Sequence, residues 1–241
     1  MKDILILIPV WKRPEIFRIC AENLVWFSHK VKHRIRVLVI MSPEDPKLDK
    51  LFKIVTRNGF DFCYVPNLPV SDKLNEGIRH AMENYTFDYL MNFGSDDLIH
   101  PDILNLYDKH MEKNTPVFGI NNLYFYNRSD RTVIHYHTYN NLRAIGAGRM
   151  INHHVVRVML QKKMPLYEPG LNRGLDNNSI RRIIATLYVR DVVLDAGRFP
   201  YIVDIKSGEN INGFSPLLKL TNRIFYVKPK VLKKEFAHVL F

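Results

Sequence analysis

The sequence predicts an α/β fold built on a doubly wound, mostly parallel sheet, with a smaller antiparallel part behind it. Three observations carry that expectation. Four short apolar runs, at 4–10, 35–41, 60–65 and 85–93, occur in the first 113 residues. A segment of helical periodicity or helix-start signals follows each of them. Two adjacent carboxylates, Asp96 and Asp97, stand directly behind the fourth run. Continuous aliphatic runs suit parallel strands covered on both faces. Strands alternating with helices give a β-α-β-α-β-α-β-α order, the mark of a doubly wound sheet.

The first strand is Ile4-Leu-Ile-Leu-Ile-Pro-Val10, after which Pro14 can open a helix carrying Ile16, Phe17, Ile19, Cys20, Leu24 and Phe27 on one face. The second strand ends in Ser42-Pro-Glu-Asp-Pro46. A helix over 48–56 is closed by Asn58-Gly59, and the third strand follows. Ser71 or Asp72 is placed to cap the next helix, which runs to about Glu83. The fourth strand delivers Asn92-Phe-Gly-Ser-Asp96-Asp97, and Pro101 starts a helix over 102–113.

Beyond residue 113 the pattern changes. Segments 117–126 and 132–139 read as strands joined by Asn127-Arg-Ser-Asp130, an antiparallel hairpin. The link Gly146-Ala-Gly148 precedes a helix over 153–162, residues 165–174 read as loop, and a further helix spans 176–185. After Asp204-Ile-Lys206 the chain reads as irregular, ending in a tail that carries Lys219, Arg223, Lys228, Lys230, Lys233 and Lys234. The expected organisation is therefore 1–113, 114–206 and a basic tail, 207–241.

Length and composition bound the function. A chain of 241 residues, 46% of them hydrophobic, can bury a full core as one domain. A net charge of +11 points to anionic partners: nucleotide phosphates, nucleic acid or an acidic membrane surface. The two cysteines, Cys20 and Cys63, sit in apolar contexts and read as reduced core residues. Residues 1–9 do not form a signal peptide, and no stretch approaches the ~18 apolar residues that span a bilayer. A cytoplasmic protein is expected, peripheral to a membrane if the basic tail binds one.

Four segments converge on the C-terminal edge of the sheet, where open α/β folds bind ligands. Trp11 and Arg13, behind Pro9 and Val10, can grip a base and a phosphate, or merely start a helix. Lys73 opposes the dipole at its helix start, which makes sense if a phosphate docks there; an ordinary solvated lysine is the plainer reading. Asp96 and Asp97 can hold a hard divalent cation, Mn²⁺ or Mg²⁺, that clamps a diphosphate, and the late helix start at Pro101 leaves them free of capping duty. Asp176 can serve as a general base or as a helix cap. His135 and His137 share a strand face, but no third ligand completes a metal site with them.

Together these segments resemble the inverting family 2 glycosyltransferases of the GT-A fold, over residues 4 to 182. Ile6-Leu-Ile-Pro9-Val10-Trp11-Lys-Arg13 looks like that family's first strand and nucleotide loop. The segment Asn67 to Gly77, with Ser71, Lys73 and Asn75, resembles its donor-lining stretch. Asp88 to Pro101, with Ser95, Asp96 and Asp97, resembles its metal and diphosphate motif, and Leu175-Asp176 its general-base motif. The chain departs from the pattern at Gly94, where the family has an aspartate, and at Leu175, where it has a glutamate. It departs again at Met41-Ser42-Pro-Glu44-Asp45, where the family's acidic run contacts uracil.

The resemblance implies direct displacement at the anomeric carbon of a nucleoside-diphosphate sugar, a UDP-sugar first among them. Gly148 and Arg149 would lie on the acceptor side. The expected acceptor is a glycan or lipid-linked sugar, or a hydroxylated base in viral DNA, which would place the enzyme in host cytoplasm. Two other classes compete. A nucleotidyltransferase would want a Gly-rich loop where the chain has Trp11-Lys-Arg-Pro14. A non-catalytic nucleic-acid binder would explain the charge but not an acidic pair at a strand end.

Overall fold

The computed structural model describes residues 1–137, 143–207, 214 and 223–240. The chain runs β1 (Asp3–Pro9), α1 (Pro14–Lys30), β2 (Arg34–Met41), α2 (Leu48–Arg57), β3 (Asp61–Tyr64), α3 (Val70–Asn84) and β4 (Tyr89–Asn92). It continues through β5 (Asp97–Ile99), α4 (Asp102–Glu112), β6 (Val117–Ile120), β7 (Leu123–Asn127), β8 (Val133–Tyr136), β9 (Met150–Asn152) and α5 (His153–Gln161). The last elements are α6 (Leu175–Leu187), β10 (Val192–Leu194), β11 (Ile202–Lys206), β12 (Ile224–Val227) and α7 (Lys230–Leu240).

Seven strands form one sheet in the order β10-β6-β9-β4-β1-β2-β3, parallel except for β9. Five form a second sheet, β12-β8-β7-β11-β5, antiparallel except for the β7–β11 pair. The apolar runs lack alternation because both faces of the first sheet are covered. Ile4, Ile6 and Ile8 of β1 pack with Phe17, Leu24 and Phe27 of α1 on one face. Leu5 and Leu7 pack with Leu74 and Ile78 of α3 on the other.

Several elements differ from the sequence reading. The fourth strand is shorter than 85–93, and behind it Asp97 opens β5, a strand of the second sheet. The run 117–126 is two strands: the chain leaves the first sheet after Ile120 and enters the second at Leu123. The Gly146–Gly148 link leads into β9, three residues long and so too short to leave a pattern. Neither Ser71 nor Asp72 caps α3, whose cap is Pro69. Instead Ser71 Oγ accepts from Leu171 N (2.8 Å) and Asp72 Oδ2 from Gly170 N (2.9 Å), tying down the loop before α6.

The C-terminal segment is the largest correction. The described part of 207–241 is no bare tail: β12 pairs with β8, and Leu232 and Phe236 of α7 are fully buried against Ile16, Ile19 and Leu98. Its lysines disguise an amphipathic helix. Lys219 lies outside the described residues. Cys20 and Cys63 are buried and free. No helix among the described residues is long and apolar enough to cross a membrane.

Candidate active site

Strands β1, β2, β3 and β4 end at one edge, and a cavity of about 640 Å³ opens there. Trp11 and Arg13 enter it from the turn after β1, Lys73 from the first turn of α3, and Ser95 and Asp96 from the β4–β5 turn. Asp176 enters from the start of α6, beside Gly146 and Ala147.

Arg13 binds the acidic turn directly. Its guanidinium donates to Asp96 Oδ2 (2.9 Å) and Ser95 Oγ (2.9 Å). Lys73 is buried, and its ammonium donates to Val10 O (2.7 Å) and Ser42 Oγ (2.8 Å). Burial lowers its pKa to about 8, against the pull of Asp45.

Asp96 and Asp97 diverge. Both line the cavity, but Asp97 is the more buried, its Oδ2 accepting from Gly94 N (2.7 Å). Burial pushes the Asp97 carboxyl well up, and neighbouring Asp204 and Asp96 push it further. The Gly94 departure is coupled to this turn. A Cβ there would sit 2.6 Å from Asp97 Oδ2 and 2.8 Å from Asp96 Oδ1. Only a residue without a side chain lets both carboxylates fold back over its backbone.

The sequence reading missed Asp204 and Lys206, which β11 brings into the same cavity. Lys206 donates to Asp204 Oδ2 (2.6 Å), while Asp204 Oδ1 is buried with no hydrogen-bond partner among the described residues. Burial raises Asp204 to about 6 in spite of Lys206. Burial would lower Lys206, yet Asp204 and Asp96 outweigh it and hold the ammonium up. The available signal was an opposite-charge pair at i and i+2 in an otherwise apolar run. Asn92 and Tyr167 were also missed: the Asn92 amide donates to the Tyr167 hydroxyl inside the cavity.

Four expected contacts lie behind the cavity wall. Ser71 holds Leu171, as above, and Asn75 grips the backbone of Tyr167 at both N (3.1 Å) and O (2.9 Å). Gly148 and Arg149 do not line the cavity. Gly148 adopts φ +73° with Ile202 and Ile103 close by. Arg149 is fully buried, donating to Asp176 O (3.0 Å), Ser179 Oγ (2.9 Å) and Ala144 O (2.5 Å). It braces the start of α6. Pro9 and Val10 do line the cavity.

Among the described residues, no group of three or more His, Cys, Asp or Glu side chains is arranged to hold a metal ion. His135 is stacked on Tyr124 (4.5 Å between ring centres), away from the acidic turn.

No family model and no curated protein matches the sequence. Solved structures match the fold. S. aureus TarS 1–349 in complex with UDP-GlcNAc superposes with a TM-score of 0.62 at 11% identity, over 86% of this chain and 60% of that one. The mannosyltransferase PcManGT from Pyrobaculum calidifontis, in complex with GDP-Man and Mn²⁺, gives 0.59 at 13% identity, over 98% and 68%. The chain spans only 37% of a longer TarS structure. At such identities the likeness is one of fold: this chain has the mixed α/β architecture of GT-A-like glycosyltransferases, a mostly parallel sheet with a smaller, mainly antiparallel one.

Proposed function

We propose that this chain is a glycosyltransferase moving a sugar from a nucleoside-diphosphate sugar to an acceptor hydroxyl, with inversion. One observation carries the reading. A single cavity at the C-terminal sheet edge gathers the cations Arg13, Lys73 and Lys206, the carboxylate Asp96, and a separate carboxylate, Asp176, on another element. Three cations suit a diphosphate, and a second, separate carboxylate suits proton abstraction. Neighbours of this fold bind UDP-GlcNAc and GDP-Man.

A divalent cation fits the site. Burial raises Asp97 and Asp204, neighbouring carboxylates raise both further, and among the described residues Asp204 Oδ1 is a buried oxygen without a partner. Mg²⁺-type ions bind through one or two carboxylates and substrate phosphates rather than an all-protein cage. Asp96 would hold the ion, with Asp97 and Asp204 lining the same cavity and Asp97 Oδ2 already engaged by Gly94 N. When bound, the ion supplies positive charge to the leaving diphosphate.

Asp176 takes the proton of the acceptor hydroxyl as that oxygen attacks the anomeric carbon. The bond from that carbon to the diphosphate breaks, and its electron pair stays on the phosphate oxygen, facing Arg13, Lys73 and Lys206. Lys73 keeps one of its three N–H groups for this after its two protein contacts. Trp11 offers a flat wall for the base. The acceptor is a saccharide hydroxyl.

The test is a thermal-shift series with UDP, GDP, CDP and their sugar conjugates, each with and without Mn²⁺. A ligand specific to the folded state raises the melting point by mass action. One nucleotide should give a Mn²⁺-dependent rise that Asp96→Ala abolishes. No rise with any of them overturns the reading. Binding of unmodified DNA that weakens steeply with salt would favour a nucleic-acid acceptor instead.

A further inference from the structure

A second cavity, of about 680 Å³, opens on the outer face of the second sheet. Cross-strand register builds it. Phe225 of β12 pairs with His135 of β8, and His135 pairs with Tyr124 of β7, so three rings stand in one row across three strands. The His135 ring stacks on Tyr124 at 4.5 Å and 14°, and Phe225 lies 6.4 Å from it. His137, two residues along, sits 6.0 Å from His135. Further along the same face, Tyr126, Val133 and Val227 are covered by α1 and α7. Helix α7 reaches the groove's edge through Val231, and the turn carrying Asp195, Gly197 and Arg198 borders the ring row.

Two features mark this groove as a binding site rather than an incompletely covered face. His135 is 4% exposed, yet its Nε2 has no hydrogen-bond partner among the described residues. Such an orphan is expensive unless something completes it. Burial first, then His137 and Arg198, lower the His135 pKa to about 4, so the imidazole stays neutral beside the Arg198 guanidinium. An anion would pair with that guanidinium. Phe225, 58% exposed, offers a flat apolar face in the same groove as the Arg198 guanidinium. Aromatic faces beside charged hydrogen-bond donors suit a sugar ring bearing an acidic group.

We propose that this groove is a second ligand site, separate from the strand-edge cavity, which binds an anionic saccharide through Phe225, His135 and Arg198. The ring lies on Phe225. The anionic group lies against the Arg198 guanidinium and within reach of His135 Nε2. The site stands whether or not the chain transfers sugars.

The test uses the full chain and calorimetric titration with glucose 6-phosphate, glucuronate, glucose and inorganic phosphate. The two acidic sugars identify whether phosphate or carboxylate is the preferred group. At least one should bind, more tightly than glucose or phosphate alone. Arg198→Ala, in an exposed turn, and His135→Phe, which keeps the stack but removes the nitrogen, should each weaken it about tenfold or more, the value of a charge-assisted hydrogen bond. Trp11→Ala should leave it unchanged, since Trp11 lines the other cavity. Equal binding in wild type and both variants overturns the proposal, as does binding lost in Trp11→Ala. No binding of either acidic sugar to the folded chain also overturns it.

Discussion

Gly146 lies so close to Asp176 that a Cβ built on it would fall 1.8 Å from Asp176 Oδ1. The carboxylate is seated against the bare backbone of the loop before β9. Gly146→Ala should therefore displace Asp176 and lower turnover by about 10²-fold or more, while Asp176→Asn should cost ~10²–10⁴ in rate. Donor affinity should survive in both. Steady-state kinetics with a donor-binding titration checks this, and unchanged turnover in Asp176→Asn would remove it as the base.

Arg149 acts on the same residue from behind. Arg149→Met leaves the Ala144 oxygen without its donor and takes the guanidinium from Asp176 O and Ser179 Oγ, which keep their bond to each other. A stranded buried oxygen costs ~1–3 kcal/mol, so urea unfolding should show a loss of that size. Because the helix start shifts with it, kcat should fall more than donor affinity.

Gly94→Ala tests the folded-back acidic turn. The new methyl meets Asp97 Oδ2 at 2.6 Å and Asp96 Oδ1 at 2.8 Å. The Mn²⁺-dependent thermal shift with the cognate nucleotide should shrink or vanish while the protein remains folded by circular dichroism. A full shift would mean that the two carboxylates need not sit where they do.

Lys73 gives a stability signature in alkali. Its pKa is lowered by burial from 10.5 to about 8, so between those values the unfolded chain binds more protons than the folded one. Stability from this group then rises with pH from about 8 to 10.5 and is diminished below that window, by a total on the order of 3 kcal/mol. Comparing wild type with Lys73→Met by denaturant unfolding at pH 7.5 and 10.5 isolates it. The gap between the two proteins should move in the variant's favour at the lower pH.

Phe236 is fully buried under the second sheet. Phe236→Ala should cost ~3–5 kcal/mol in chemical denaturation. A loss under 1 kcal/mol would return the C-terminal segment to the status of a loose appendage.

The first half of the fold was legible because parallel strands covered on both faces write themselves as unbroken aliphatic runs, as in Ile4 to Ile8. The second half was not, for three physical reasons. Strands β5 and β9 are three residues long, below any periodicity. The turn at Asn121-Asn122 moves the chain between sheets without a Gly or Pro to mark it. Helix α7 carries enough lysine to pass for a solvated tail. At the site, the sequence flagged Asp96, Arg13, Lys73 and Asp176, all of which line the cavity. It could not rank Arg149, whose charge reads as surface but whose buried contacts to two backbone oxygens and the Ser179 hydroxyl make it structural. Nor could it bring Asp204 and Lys206 to Asp96, since that juxtaposition exists only through the pairing of β11 with β5.

That pairing carries a temporal consequence. β5 becomes a strand only when β11, roughly a hundred residues later, lies beside it through the Asp97–Asp204 register. At ribosomal speeds of ~5–20 residues per second, the acidic turn waits about 5–20 s after synthesis before its lysine counterpart exists. A nascent chain holding the whole parallel half therefore has Asp96, Asp97 and Arg13 but no closed anion pocket. Any product truncated before Lys206 lacks the Asp204–Lys206 pair beside the acidic turn, however well its first sheet folds.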